Sequence, residues 1–136
     1  MLKYHLVIIF WLGLSVPQWA AADSSNAVAA LLKESRDEFV QERYEQAAAL
    51  LERALRIDPR NAILWHDLAG VRLKQDEWRK AMSLAAKSNE LAIDNKWLRI
   101  RNWTLIALAC EGLNDKNCAK DAQGRAKTLA NSVSSK

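Results

Sequence analysis

The chain has 136 residues and a formal net charge of +4, from 20 basic and 16 acidic side chains spread along its length. A chain of this size can form one domain with a modest hydrophobic core. Binding to nucleic acid requires basic residues clustered on one face, and the sequence shows no such cluster. Length and charge therefore predict a single domain whose partner is not a nucleic acid.

Residues 1–22 have the layout of an export signal. A positively charged start is followed by an apolar stretch from Leu6 to Val16, and Ala20 and Ala22 supply small residues before a cleavage site. The apolar stretch is shorter than the ~20 residues that a membrane-spanning helix needs. We therefore expect a signal peptide that is removed, a periplasmic mature protein and no stable membrane insertion. The alternative is an uncleaved N-terminal helix that anchors the protein in the inner membrane.

The pattern of apolar residues predicts consecutive helices. Apolar residues recur every three or four positions from Ala27 to about Val40 and again from Tyr44 to Ile57. Pro59 ends the second helix because proline cannot continue the helical hydrogen-bond ladder. The first two predicted elements therefore form a pair of short helices.

The same pattern returns along the chain. When the sequence is aligned with itself at a shift of 34 residues, and then at a further shift of 38, small residues fall on small residues and aromatic residues fall on aromatic residues. The positions that carry this register are Ser35, Ala47, Ala54, Trp65, Leu68, Ala69, Trp78, Ala81, Ser88, Trp103, Ala107, Ala119 and Ala126. The register predicts a unit that occurs about three times.

Two segments carry the pattern most clearly: WHDLAGVRLKQDEWRKA at residues 65–81 and ERYEQAAALLERALRIDP at residues 42–59. They resemble the tetratricopeptide repeat family over about residues 28–130. The resemblance implies an all-α fold, a short α-solenoid of helix-turn-helix repeats. The domain would span residues 23–136, with repeats at about 28–61, 62–95 and 100–133. We expect the additional residues of the third repeat to form an extended connection around Ile93 to Ile100.

The resemblance gives the small and aromatic residues a structural role. Where the two helices of a repeat cross closely, the fold has no room for a branched side chain, so we expect Ser35, Ala47, Ala69, Ala81, Ala107 and Ala119 there. Ala54, Ser88 and Ala126 are expected to face the helix of the next repeat, and Trp65, Trp78 and Trp103 to pack between helices. Trp97 lies outside the register. It either covers the end of the second repeat or contacts a partner.

The first helix of each repeat is expected to line a concave face. The residues left free on that face for a partner are Leu32, Arg36, Phe39, Ile63, His66, Gly70, Leu73, Lys74, Arg101, Thr104 and Leu108. This mostly apolar stripe with basic edges suits an extended or helical protein segment of some acidic character. Gly70 costs ~1 kcal/mol relative to alanine in a helix. It marks either a close approach of a ligand or a tolerated weakness.

The sequence offers few groups for catalysis or cofactor binding. His66 is the one histidine after residue 22, and the glycines do not form a phosphate-binding loop. We therefore expect no enzymatic activity, no metal and no cofactor.

Cys110 and Cys118 are expected to form a disulfide, because export would place them in an oxidising compartment. Seven residues separate them, which does not match redox or zinc motifs. Such a bond would clip the two helices of the third repeat together. Two free buried thiols and a redox pair are the alternatives.

Together these features predict an adaptor or scaffold for protein–protein interaction in cell-envelope assembly or secretion. The alternative is a structural subunit that associates with its own kind, or with other repeat proteins, through the uncapped third repeat. Concentration-dependent mass in solution distinguishes the two.

Overall fold

The computed structural model describes the backbone of residues 18–134 and the side chains of residues 22–134. The chain forms six helices in this range: α1 (Gln18–Val40), α2 (Tyr44–Ile57), α3 (Ala62–Lys74), α4 (Trp78–Leu91), α5 (Lys96–Gly112) and α6 (Lys116–Ser134). All regular secondary structure between residues 18 and 134 is helical. The predicted all-α fold is confirmed, and α2 has the predicted bounds.

The helices form three hairpins that stack in chain order. α1 packs on α2, α3 on α4 and α5 on α6, and each hairpin contacts the next through α2 with α3 and through α4 with α5. The first helices α3 and α5 also contact one another. This arrangement confirms the predicted short α-solenoid of three helix-turn-helix units.

The turn inside each hairpin repeats the same backbone geometry. Glu42, Asp76 and Asn114 have positive φ angles of 59°, 58° and 57°. In the first turn the N–H of Arg43 donates to the carbonyl of Glu38 at 3.0 Å, which is the long hydrogen bond of a Schellman motif. The same bond closes the other two turns. The three left-handed residues are 34 and 38 positions apart, so the backbone follows the register seen in the sequence.

The connection between the second and third hairpins is short. α5 already begins at Lys96, so the extended connection expected around Ile93 to Ile100 is wrong. The side chain of Asn95 accepts a hydrogen bond from the N–H of Leu98 at 3.0 Å and caps the new helix. The additional residues lengthen the helix instead, since α5 has 17 residues and α3 has 13.

Two hydrophobic clusters form the core. The first joins α1, α2 and α3, and the second joins α3, α4, α5 and α6. The small residues expected at helix crossings are buried: Ser35, Ala47, Ala69, Ala81, Ala107 and Ala119. Ala54, Leu68 and Ser88 are also buried, whereas Ala126 is half-buried because no described helix follows α6. Trp65, Trp78 and Trp103 are half-buried and pack against the clusters.

The predicted disulfide is present in the third hairpin. Cys110 near the end of α5 is bonded to Cys118 near the start of α6, with a Cα–Cα distance of 5.7 Å. The bond closes the turn that contains Asn114. It therefore ties together the two helices of the last hairpin.

The proposed export signal lies mostly outside the described residues. Residues 1–17 are not described, and α1 runs from Gln18 through the predicted cleavage site after Ala22. Cleavage therefore stays a prediction. No helix in residues 18–134 combines the length and apolar character needed to span a membrane.

Candidate partner-binding groove

A cavity of about 190 Å³ lies where the first helices of the three hairpins meet. Its lining comes from α1, α2, α3 and α5 and consists of Ser35, Arg36, Phe39, Leu51, His66, Asp67, Gly70, Val71 and Arg101. We call this cavity the groove. It brings together five residues of the predicted partner-binding stripe: Arg36, Phe39, His66, Gly70 and Arg101.

Buried apolar side chains and a glycine form the inner wall of the groove. Leu51 and Val71 are buried, with 1% and 2% of their surface exposed, and Phe39 packs edge-on against the ring of Tyr44 with 5.5 Å between centroids. A Cβ atom built on Gly70 meets no atom within 4 Å. The space above Gly70 is therefore open, and a side chain of a partner can enter it without moving the domain.

The rim of the groove carries opposed charges with an excess of cations. Arg36 on α1 donates from Nε to Oδ2 of Asp67 on α3 at 2.9 Å. Arg101 on α5 is exposed and has no hydrogen-bond or ion-pair partner among the described residues. One carboxylate and two guanidinium groups leave a net positive rim, which favours an anionic group on the ligand.

His66 lines the groove but also anchors a buried polar network. Its Nδ1 donates to Oδ1 of Asn102 at 2.6 Å. That direction follows because Nδ2 of Asn102 already donates to Ser88 Oγ at 2.8 Å and to Asn89 Oδ1 at 3.1 Å. Ser88 Oγ in turn donates to the carbonyl of Ala62 at 2.7 Å. The network joins α3, α4 and α5 behind the groove.

The pKa of His66 is lowered in the folded protein, so its imidazole is uncharged at neutral pH. Burial lowers the pKa of its imidazole, and the positive charges of Arg101 and Arg36 lower it further. The hydrogen bond to Asn102 and the charge of Asp67 act in the opposite direction but are outweighed. The imidazole therefore serves as a hydrogen-bond donor in the core and carries no charge into the groove.

Several members of the predicted stripe lie outside the groove or are held inside the fold. Leu32 and Leu73 are half-buried, pack against the first and second core clusters and do not line the groove, so their role in partner binding stays a prediction. His66 is only 8% exposed, and its Nδ1 is already used inside the fold, so most of it is not free for a partner. Ile63 is exposed at a different cleft, beside Ile93.

The remaining stripe residues are exposed but do not line the groove. Lys74 lies at the end of α3, and Thr104 donates from Oγ1 to the carbonyl of Ile100 in its own helix at 3.0 Å. Leu108 on α5 is 48% exposed. The groove is therefore smaller and more polar than the predicted stripe.

Sequence reasoning missed two important residues. Asp67 neutralises part of the rim, and nothing in its local sequence links it to Arg36, which is 31 positions away. Asn102 could have been found from the sequence, because the repeat register aligns it with Leu64. An amide therefore stands where the preceding repeat has an apolar residue. A polar residue at a core position of a repeat predicts a buried hydrogen-bond network.

The described residues contain no group of three or more His, Cys, Asp or Glu side chains that could hold a metal ion. The groove itself offers one carboxylate and one neutral imidazole. Its geometry suits recognition of a ligand by shape and charge.

Comparison with known proteins relates this architecture to a known repeat family. A sequence profile of the tetratricopeptide repeat matches residues 39–92, from the last residues of α1 to the end of α4. The comparison with curated proteins found no match.

Two solved structures resemble the chain along most of its length. The globular C-terminal domain of LpoP from P. aeruginosa is 35% identical, with a TM-score of 0.72 and coverage of 74% of this chain and 94% of that domain. The N-terminal domain of stress-induced protein-1 (STI-1) from C. elegans is 17% identical, with a TM-score of 0.72 and coverage of 78% and 86%. The second likeness concerns the fold alone. From the repeated hairpins, the matching profile and the similarity to LpoP, the chain belongs to the tetratricopeptide repeat family.

Proposed function

We propose that the mature chain, residues 23–136, is a periplasmic adaptor that holds a segment of a partner protein in the groove, in envelope assembly or secretion. Tetratricopeptide repeat domains generally bind protein or peptide partners, and they are typically not enzymes. The observation that carries the proposal is the cavity itself, with open space above Gly70 and a positive rim.

The chemistry of the groove indicates the kind of segment it accepts. Phe39, Leu51 and Val71 provide an apolar wall for one inserted side chain. Arg101 stands at the rim without a hydrogen-bond or ion-pair partner among the described residues and can pair with a carboxylate of the ligand. A partner segment that combines an apolar residue with a neighbouring acidic residue matches both features.

Export to the periplasm has two supports. Residues 1–22 have the layout of a signal peptide. Cys110 and Cys118 form a disulfide, and such bonds persist in oxidising compartments. Both features favour a protein that acts outside the cytoplasm.

The test is capture of partners from envelope extract with the mature chain and two matched variants. Gly70→Gln places a long side chain in the open space of the groove. Gly124→Gln makes the same change on α6, where a new Cβ also meets no atom within 4 Å. Filling the groove is preferable to truncating Phe39, because Phe39 packs against the first core cluster. Circular dichroism establishes that each variant is folded.

The proposal predicts that Gly70→Gln loses partners that the natural chain and Gly124→Gln both retain. Arg101→Glu should weaken capture of the same proteins, because it places a carboxylate opposite an acidic ligand. Recovery of the same proteins by all baits, or of the bait alone, would show that the groove is not the binding surface.

A further inference from the structure

Exposed apolar side chains are concentrated at one end of the molecule. This end is formed by the connections between hairpins, and we call it the inter-hairpin end. It carries four of the six large hydrophobic side chains that are exposed in the described part of the chain: Ile57, Ile63, Ile93 and Trp97, which are 41%, 41%, 72% and 66% exposed. Three of them, Ile63, Ile93 and Trp97, line one cleft, and exposed apolar side chains that cluster in this way are typical of an interaction site.

Trp97 is the central residue of this surface. It is the second residue of α5 and not part of a long connection, and 66% of its surface is exposed, so most of the side chain is free of contact with the second repeat. The indole has no hydrogen-bond partner among the described residues. Trp97, Ile63 and Ile93 line one cleft together with Arg60 and Lys96. The cleft therefore combines an indole, two isoleucines and two cations.

The charged side chains that line the cleft have a small basic excess. Arg60 and Lys96 line it against one carboxylate, that of Asp94, and all three side chains are exposed. The net positive charge of the cleft complements an anionic surface.

The described N-terminal part of α1 lies at the same end. Ser24 and Ser25 of α1 line a cleft together with Ile57 and Asp58. The start of α1 therefore lies near the exposed apolar side chains of this end. The predicted apolar stretch of the export signal, Leu6 to Val16, precedes α1 in the sequence.

We propose that the inter-hairpin end docks on the surface of a phospholipid bilayer with anionic headgroups. Trp97, Ile93 and Ile63 enter the interface, and Arg60 and Lys96 contact lipid phosphates. Tryptophan prefers the headgroup region of a bilayer, and apolar residues flanked by basic ones bind anionic membrane surfaces. None of these residues lines the groove, so a docked domain keeps the groove free for a protein.

The test is co-sedimentation of the mature chain, residues 23–136, with vesicles of phosphatidylethanolamine and phosphatidylglycerol. This chain retains every buried core residue, the first of which is Val28. The double variant Ile93→Ser with Trp97→Ser removes two exposed apolar side chains. Val40→Ser is the matched control, because Val40 is 80% exposed at the opposite end, beside the turn of the first hairpin.

The proposal predicts that the natural chain and Val40→Ser sediment with these vesicles, and that the double variant binds about tenfold or more weakly. Vesicles of phosphatidylcholine alone, and added salt, should weaken binding of the natural chain. Brominated lipid should quench tryptophan fluorescence of the natural chain and not of the double variant.

Three results would overturn the proposal. They are failure of the natural chain to sediment with anionic vesicles, equal binding by the double variant, and equal loss of binding by Val40→Ser. If the natural chain does not bind vesicles, and the double variant no longer captures a protein that the natural chain captures from envelope extract, the inter-hairpin end binds a protein partner instead.

Discussion

At the scale of single residues, His66 connects the groove to the core. Its imidazole donates to Asn102, which continues the hydrogen bonds to Ser88 and the carbonyl of Ala62. The network crosses three helices, so it fixes the position of α5 and with it Arg101 at the groove rim. A charge on the imidazole would have to be accommodated next to Arg36 and Arg101.

The state of His66 predicts how stability depends on pH. The pKa of the imidazole is lowered in the folded state, so the unfolded chain binds the proton first as pH falls below about 6.5. The free energy of unfolding should therefore decrease between about pH 7.5 and about pH 5.5. Urea unfolding at several pH values measures this decrease.

The matched variant for this prediction is His66→Asn, whose amide nitrogen replaces Nδ1 as the donor to Asn102. It should remain folded and lose most of the pH dependence in that range. An unchanged slope in the variant would mean that other groups control the response.

Gly112 predicts a second effect at the residue scale. A Cβ on Gly112 would lie 2.5 Å from Cδ2 of the Trp78 ring, whereas a Cβ on Gly70 meets no atom within 4 Å. Gly112→Ala should lower the free energy of unfolding by about 1–3 kcal/mol through overpacking. Gly70→Ala should raise it by about 1 kcal/mol through helix propensity. Chemical denaturation that gives the same sign for both variants would contradict the packing seen at Trp78.

At the scale of elements, each hairpin is defined by a turn with one left-handed residue. Glycine is the usual choice at this position of a Schellman motif, yet the three turns use Glu42, Asp76 and Asn114. Asparagine and aspartate tolerate positive φ better than glutamate does. The first turn therefore holds the most strained of the three residues.

This difference predicts that Glu42→Gly stabilises the protein by about 0.5–1 kcal/mol, because glycine adopts positive φ without a steric cost. Asn114→Gly should give a smaller gain. Thermal unfolding of the two variants measures the difference. An equal or larger gain from Asn114→Gly would show that strain at Glu42 is not limiting.

The disulfide predicts a further effect on the last hairpin. Cys110 and Cys118 are eight positions apart, so their bond closes a short loop. Reduction should lower the free energy of unfolding by about 2–3 kcal/mol on the chain-entropy account. Hydrogen exchange should rise first at the turn around Asn114 and at the start of α6. Equal stability of the oxidised and reduced chains would indicate that packing alone holds this hairpin.

At the scale of the whole molecule, the repeat register predicted much of the fold. Small residues such as Ala69 and Ala81 are fully buried, and the helix that Pro59 was expected to end stops at Ile57. Local signals were sufficient here because each helix buries a regular face. The start of α5 was missed because the cap by Asn95 carries less signal than a proline or a glycine.

The groove was predicted in outline and not in detail. Arg36, Gly70 and Arg101 were assigned to the concave face, and all three line the cavity. Their electrostatic surroundings were not predicted, because the bond from Arg36 to Asp67 joins residues that meet only after the hairpins stack. A single sequence shows how regularly residues recur on one face of a helix. It does not show which polar groups on different helices become hydrogen-bond partners after folding.

The central claim is that a partner protein occupies the groove, and photo-crosslinking in cells tests it most directly. A photo-reactive phenylalanine analogue is placed at Gly70, inside the groove, and in a separate strain at Gly124, on α6. Both sites have room for a larger side chain. Our account predicts that irradiation produces a discrete adduct with another protein from position 70 and not from position 124. No adduct from position 70, or the same adducts from both positions, would contradict it.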